Sequence, residues 1–333
     1  MPEPAYDVLG IGNAIVDVIA RTEEDFLVRE KLIKGSMHLI DTGEAERLYG
    51  LMGAAIETSG GCAGNTVAGV GSFGGRAAFI GKVADDQLGA IYRHDMHALG
   101  IHFATPPLAD SDPTARSMIL ITPDGERTMN TYLGASQQLS PADIDEATVA
   151  TARITYLEGY LWDRPLAKDA FRKAAAVAHG AGRQVSLTLS DSFCVDRFRD
   201  EFLGLIRDGS IDILFANEAE LKSLYQTADL ETALAAIRQD AALAAVTAGG
   251  DGAYVVTAGG IEKVAASPVE TIVDTTGAGD LFAAGFLFAL AKGKPPTAAA
   301  AFGHVAAGEV IGHIGPRPAT PLRGLAEQAG LSI

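Results

Sequence analysis

Runs of β-branched and apolar residues alternate with helical stretches along most of this chain, and that alternation constrains the fold more than any single motif. YDVLGIG (6–12), RAAFIGKV (76–83), RITYLEGY (153–160), RQVSLTL (183–189), IDILFA (211–216) and AALAAVTAG (241–249) read as strands. The stretches 86–99, 165–181, 196–208 and 217–226 read as helices between them. Strands separated by helices argue for a parallel sheet covered on both faces. The expected fold class is therefore α/β, with a mainly parallel central sheet and helices on both faces. At 333 residues, one large α/β unit with an appendage has ample core.

Two segments break the rhythm. AIVDVIA (14–20) with SMHLI (36–40), and ARSMILITPDGERTMNTYL (115–133) with Pro123-Asp124-Gly125 as its turn, read as strands in hairpin style. They predict a small β-sheet over one edge of the main sheet. The chain then divides into a large nucleotide-binding unit (1–13, 41–114 and 134–333) and a small β lid over the substrate site (14–40 and 115–133). Edge hairpins without mobility are the alternative.

Charge narrows the partners. There are 42 acidic against 26 basic residues, a net charge of -16, and no basic cluster, which argues against nucleic acid or an anionic membrane as partner. The start of the chain has no leader pattern, and the longest apolar stretch, Leu281 to Ala291, is too short to span a bilayer, so a cytoplasmic protein is expected. Cys62 and Cys194 form neither a disulfide framework nor a metal spacing. GVGSFG (69–74) has the spacing of a dinucleotide loop, but no strand directly precedes it, and close packing inside a helix running from Ala63 is expected instead. His94 and His97 share a helix face without a third ligand, which suits a solvated surface.

The chemistry concentrates in VETIVDTTGAGDLFAAGFLFALAKG (269–293). A short strand, 272–274, is expected to lead into Gly277-Ala278-Gly279, with a helix starting near Ala278 whose free N–H groups and positive end face the loop. This arrangement suits a phosphoryl group in transfer. Asp280, in the first turn, is then placed to take the proton of an attacking hydroxyl; the plainer reading is an acidic residue that merely favours the helix dipole. Gly60-Gly61 ahead of another helix, with Asn65 in its first turns, admits a polyol to the backbone or simply caps the helix. Asp17 alternates with Val16 and Val18 on the lid-like strand, where an acceptor for vicinal hydroxyls is useful. Asn217 and Glu220 stand three apart where a strand ends and a helix opens, which fits Mg²⁺–water and phosphate contacts or a capping box.

As a set these residues resemble the ribokinase-like carbohydrate kinases, the phosphofructokinase-B family. DTTGAGD (274–280) is joined in order by GG…N (60–65), N-x-x-E (217–220) and VTAGGDGA (246–253), and the likeness covers essentially the whole chain. GIGNAIVD (10–17), YLEGY (156–160) and LTLSDSF (187–193) look closest to the adenosine kinase branch. The resemblance implies an ATP- and Mg²⁺-dependent kinase acting on the 5′-hydroxyl of a nucleoside, adenosine first; a sugar kinase for ribose or fructose and a non-catalytic sensing module are the alternatives. It implies Asn13, Asp17, Gly61 and Asn65 against the ribose, Asp280 as base, and Gly277, Ala278 and Gly279 as the anion hole. Thr247 and Gly249 would lie beside the nucleotide with Asn217 and Glu220, the latter meeting Mg²⁺ through water. Arg127 would reach the transferred phosphate, and a monovalent cation such as K⁺ would sit near Asp274, Thr276 and the 311–319 loop. Monomer and homodimer fit equally. Where eukaryotic adenosine kinases read GGSTQN, this chain has Gly60-Gly61-Cys62-Ala63-Gly64-Asn65, a smaller ribose surround that leaves inosine, guanosine and simple sugars open.

Overall fold

The computed structural model describes residues 3–333. Its strands are β1 (Tyr6–Ile11), β2 (Ile15–Arg21), β3 (Met37–Leu39), β4 (Ala55–Ser59), β5 (Ala77–Ile80), β6 (Ala115–Ile121) and β7 (Arg127–Tyr132), then β8 (Ala152–Glu158), β9 (Gln184–Thr188), β10 (Ile213–Asn217), β11 (Leu243–Thr247), β12 (Ala253–Thr257) and β13 (Gly260–Val264). The helices are α1 (Glu24–Arg29), α2 (Thr42–Leu51), α3 (Cys62–Ser72), α4 (Gln87–Ala98), α5 (Glu146–Thr151) and α6 (Pro165–Gly180), followed by α7 (Ser192–Arg207), α8 (Glu218–Leu224), α9 (Leu230–Asp240), α10 (Ala278–Ala291), α11 (Pro296–Val310) and α12 (Leu322–Gln328).

The strands form an eight-stranded sheet ordered β13-β12-β11-β10-β9-β8-β1-β5 and a five-stranded sheet ordered β3-β7-β6-β2-β4. In the large sheet every pairing from β5 to β11 is parallel, and the hairpin β12–β13 closes one edge antiparallel. One face packs on α3, α10 and α11, the other on α6, α7 and α9. Continuous apolar strands such as Val8–Ile11 and Leu243–Val246 follow from burial on both faces. The α/β expectation holds.

Helix α10 is apolar all round because it lies between the sheet, α3 and α11, and glycines set its distance from both helices. A Cβ on Gly285 would stand 2.3 Å from the Phe302 carbonyl oxygen, and one on Gly69 in α3 would stand 2.6 Å from the Ala284 Cβ. GVGSFG is thus helix packing, as expected.

Two sequence expectations need correction. Residues 272–274 are not a strand: they run as a loop in which the Val273 N–H donates to the Ile311 carbonyl at 2.8 Å. The sheet edge is already taken by β12–β13, so a β-branched composition finds no ladder there. Second, residues 42–59 do not go with the large unit: β4 pairs with β2, and α2 covers the outer face of the small sheet through Ala45 and Leu48 against Met118 and Tyr132. An exposed hairpin needs a packing partner, and α2 supplies it.

Overpacking at the α10–α11 contact meets backbone, which cannot rotate away. Gly285→Val should therefore lower the unfolding free energy by about 3 kcal/mol, read from denaturant melts of the two proteins; an unchanged midpoint would show that the two helices separate freely.

Candidate active site

Parallel strands bring their C-terminal ends to one edge, and the first residues beyond them are the polar ones. Register places Ile11 beside Leu157 and Asn217 beside Thr247, so Asn13, Glu158, Asn217 and Thr247 all open on the same side. They line a cavity of about 740 Å³ whose roof is the inner face of the small sheet, with Asp17, Ser117 and Ile119 pointing in.

At the mouth of α10, Gly277 adopts φ +78°, and a side chain there would meet Pro316 at 2.8 Å. Only glycine suits both demands. Ala278 turns its N–H back to the Thr275 carbonyl at 3.2 Å, while the N–H of Gly277 is left without an acceptor and those of Gly279 and Asp280 have no intrahelical partner. Among the described residues, the amides free to meet a ligand are therefore those of Gly277, Gly279 and Asp280 more than that of Ala278. Gly279 lines the cavity with open space where its Cβ would be. Asp280 extends from the same turn and accepts from Asn65 Nδ2 at 2.9 Å. Burial pushes its carboxyl up to about 7, with the Asn65 hydrogen bond opposing, the Glu158 charge adding, and the Cys62 thiol and Arg317 opposing. A carboxylate with that proton affinity is suited to take a proton at neutral pH.

Across the cavity, Gly60 and Gly61 are dictated by contact. A Cβ on Gly60 would lie 2.4 Å from Asp17 Oδ2, and one on Gly61, at φ +82°, would lie 2.2 Å from the Asn13 carbonyl oxygen. Asp17 is buried, accepts no hydrogen bond from the protein among the described residues, and is pushed up to about 7 by burial against the pull of Arg317 and Arg127. Asn65 leaves Oδ1 buried without a partner. Asp17 thus lines the cavity as an unpaired acceptor, while the idle Asn65 Oδ1 is enclosed beside it. Asn13 differs: its Nδ2 donates to Glu158 Oε1 at 2.6 Å and its Oδ1 accepts from Ser136 Oγ at 2.9 Å, so its side chain is held by the protein.

A family profile for the pfkB carbohydrate kinases matches residues 42–323. The chain is a pfkB family kinase. A solved probable sugar kinase from Rhizobium etli superposes with a TM-score of 0.93 at 52% identity, covering 99% of this chain and 100% of that one. An adenosine kinase structure from Sinorhizobium meliloti gives 0.91 at 56% identity, covering 97% and 99%. The ATP-dependent ribose-1-phosphate kinase of Halopiger xanaduensis is 30% identical over 233 residues, 69% of this chain and 73% of its own. The kinase is a phosphotransferase with an alcohol group as acceptor, and its family implies ATP as the phosphoryl donor.

Where β10 runs into α8, Asn217 and Glu220 form the capping box: Asn217 Oδ1 accepts from the Glu220 N–H at 2.9 Å, and Glu220 accepts the Asn217 N–H at 3.0 Å and Nδ2 at 2.6 Å. Both still face the cavity, and burial raises Glu220 to about 7, with the Asn217 amide opposing and Asp191 adding. The remaining lone pairs of that carboxylate fit a water-mediated Mg²⁺ contact. Thr247 lines the cavity, whereas Gly249, at φ +55°, lies outside the wall. Arg127 is off the wall too: its Nη2 pairs with Asp274 Oδ2 at 2.6 Å, and its Nε and Nη1 have no hydrogen-bond partner. Asp274 also accepts from Thr276 N and Gly315 N, both at 3.0 Å. With a guanidinium already against it, the Asp274 and Thr276 pair does not fit a K⁺ site. Among the described residues no group of His, Cys, Asp and Glu is gathered for a metal, and no helix is long and apolar enough to cross a membrane.

Sequence reasoning gave no role to Glu158 and Arg317. Glu158 is 1% exposed and takes the Ala63 N–H at 2.9 Å besides Asn13, so it fixes the start of α3 to β1. Its signal was a lone acid ending an apolar strand, ITYLE. Arg317 stood as a single cation in the turn HIGPRPATP.

Asp280→Asn should cut kcat by about 10²–10⁴ with little change in acceptor binding. In the parent, kcat should fall as the pH drops through about 7, where the protonated carboxyl can no longer accept the hydroxyl proton. Steady-state kinetics of both proteins across pH decides; turnover by the Asn protein near the parental rate removes Asp280 as base.

Proposed function

We propose that the kinase transfers the γ-phosphoryl group of ATP to the 5′-hydroxyl of a nucleoside, adenosine in the first place. The observation that carries this reading is the apolar wall beside Asp17. Leu39 is 58% exposed and Phe193 79% exposed on the cavity, joined by Met37, Ile119, Met129 and Leu133. A free pentose or hexose offers only a small C–H face to such a wall, whereas a purine ring covers more of it with a flat face. The cavity also carries Asp17, Glu158, Asp163, Asp191, Asp196 and Glu220 besides the base, and Arg197 is the one cation lining it among the described residues, paired to Asp163 at 3.2 Å. Such a wall favours a neutral acceptor over a sugar phosphate. The 56% identity to an adenosine kinase supports the same choice.

In this reading the ribose hydroxyls donate to Asp17, with Asn65 lining the cavity on the way to the base, which sets the 5′-oxygen facing Asp280. Asp280 takes its proton as the oxygen attacks the γ-phosphorus, and the bond from that phosphorus to the bridging oxygen of ADP breaks. The free amides of Gly277, Gly279 and Asp280 meet the charge on the equatorial oxygens, and Arg127 stands behind them with idle donors. Mg²⁺ arriving with ATP neutralises the phosphates and would be held by Glu220 through water. The small sheet serves as a lid: Asp17 and Arg127 belong to it while the base and the amides belong to the large unit, so the site is complete only when the two close and exclude water.

ATP consumption measured against adenosine, inosine, guanosine, ribose, fructose and ribose 1-phosphate tests the substrate. Adenosine should exceed the free sugars by more than about 100-fold in kcat/KM, and a sugar turned over faster than every nucleoside would sink the proposal. Asp17→Ala should weaken adenosine binding by about 1.5–3 kcal/mol with ATP affinity unchanged; calorimetry showing equal loss for both ligands would mean a structural role. For the lid, adenosine should slow amide hydrogen exchange in 15–21, 37–39, 55–59 and 115–132 far more than in 184–188 and 213–217. Exchange already slow without ligand would make the small sheet a fixed edge.

A further inference from the structure

Arg317 follows Pro316 in the loop after α11, outside the cavity wall. Its guanidinium is enclosed. Nη2 donates to Ser59 Oγ at 3.2 Å, at the end of β4, while Nε and Nη1 have no hydrogen-bond partner. A buried fork with two idle donors is costly unless nearby charge offsets it. The groups that face it are Tyr92 and Asp95 on α4, Asp17 on β2 and Asp280 on α10. Asp95 is engaged by the Ser59 N–H at 2.8 Å, and Asp280 by Asn65, which leaves Asp17 as the carboxylate without a hydrogen bond of its own.

Two further contacts show that the seat of this arginine is built. A Cβ on Gly64 would stand 3.4 Å from Arg317 Nη2 and 2.9 Å from Tyr92 Oη, so the departure from GGSTQN at this position makes room for the guanidinium. The loop itself is fastened to the anion-binding turn: Gly315 N donates to Asp274 Oδ2, and Pro316 lies against Gly277.

We propose that Arg317 is a positioning residue for the acceptor: its charge keeps Asp17 ionised in its buried seat, and its docked loop ties that readiness to the anion-binding turn. The inference rests on the reading of Asp17 as the ribose-binding carboxylate. The direction follows from the neighbours. Burial raises Asp17, and the cations facing it are Arg317 and, from β7, Arg127. Cys62 on α3 and Tyr92 on α4 also feel Asp17, but burial raises both thiol and phenol, so they stay protonated and uncharged near neutral pH. Removing Arg317 raises Asp17 further, and a protonated Asp17 no longer accepts two hydroxyls.

The test is equilibrium binding of adenosine by calorimetry, without ATP, between about pH 5.5 and 8.5, in the Asp280→Asn protein so that the titration of the base does not contribute. Affinity should fall toward acid. Arg317→Met should move the midpoint up by about one pH unit and weaken binding about fivefold at pH 7, with ATP affinity within about threefold; Arg317→Lys should bring the midpoint back. A Met variant with the parental midpoint, or one that loses ATP and adenosine alike, overturns the proposal. Should the Met variant fail to fold, Arg317→Gln takes its place: a raised midpoint supports the charge role and a parental one overturns it. A parent that does not bind adenosine counts against the nucleoside reading alone, and the same comparison is then made with ribose, where the shift or its absence decides.

Discussion

The close approach of α10 to α3 and α11 is the constraint on which the rest of this kinase depends. Gly285 against the Phe302 backbone and Gly69 against Ala284 leave α10 no freedom to slide, and its buried aromatic residues Phe282, Phe286 and Phe288 lock it under the sheet. A helix held that firmly can present its first turn as a rigid device. The free amides and Asp280 occupy fixed positions before any ligand arrives, which is what electrostatic preorganisation requires. Core packing and chemistry are here the same feature seen from the two ends of one helix.

The second anchor is the buried carboxylate of Glu158. It ties Asn13, just past β1, to the start of α3, and α3 in turn delivers Asn65 to Asp280. Removing that carboxylate would leave the Asn13 amide and the Ala63 N–H unpaired in the interior, which is why an acid at the end of an apolar strand is tolerated. The chain of contacts Glu158–Ala63 and Asn65–Asp280 thus joins the end of the large sheet to the first turn of α10 through α3.

The fold was legible because period and composition both report burial: the parallel strands read as continuous apolar runs, and their helices as the stretches between. What failed to read was pairing. Residues 55–59 carry no mark that says which sheet they join, and 272–274 have strand composition without a free edge to join. The candidate site followed the same division. Asp280, Gly277 and Gly61 were legible because turn chemistry and helix ends are local, and the structure gives each a contact that forbids a side chain or a displacement. Arg127 and Asp274 read as separate ligands although they are each other's partner across 147 residues of sequence. Glu158 and Arg317 act through residues far away in the chain, so their surroundings are a property of the fold.

Acidity gives the site its last constraint. Asp17, Glu220 and Asp280 each sit near 7 because burial penalises their charge, and they share one cavity. A triphosphate entering such a cavity meets a mostly acidic wall, whose cation Arg197 is already paired with Asp163. Under the proposed function its charge is met by Mg²⁺, by the neutral amides at the mouth of α10 and by Arg127 and Arg317 behind them, which do not line the cavity. The placement is economical in one respect: cations exposed on the wall would attract any anion, whereas cations behind carboxylates act only on groups already seated. Under the proposed function, an acceptor without charge meets less repulsion from this wall than a charged one, and discrimination between acceptor and donor becomes a matter of which end of the cavity carries amides and which carries carboxylates.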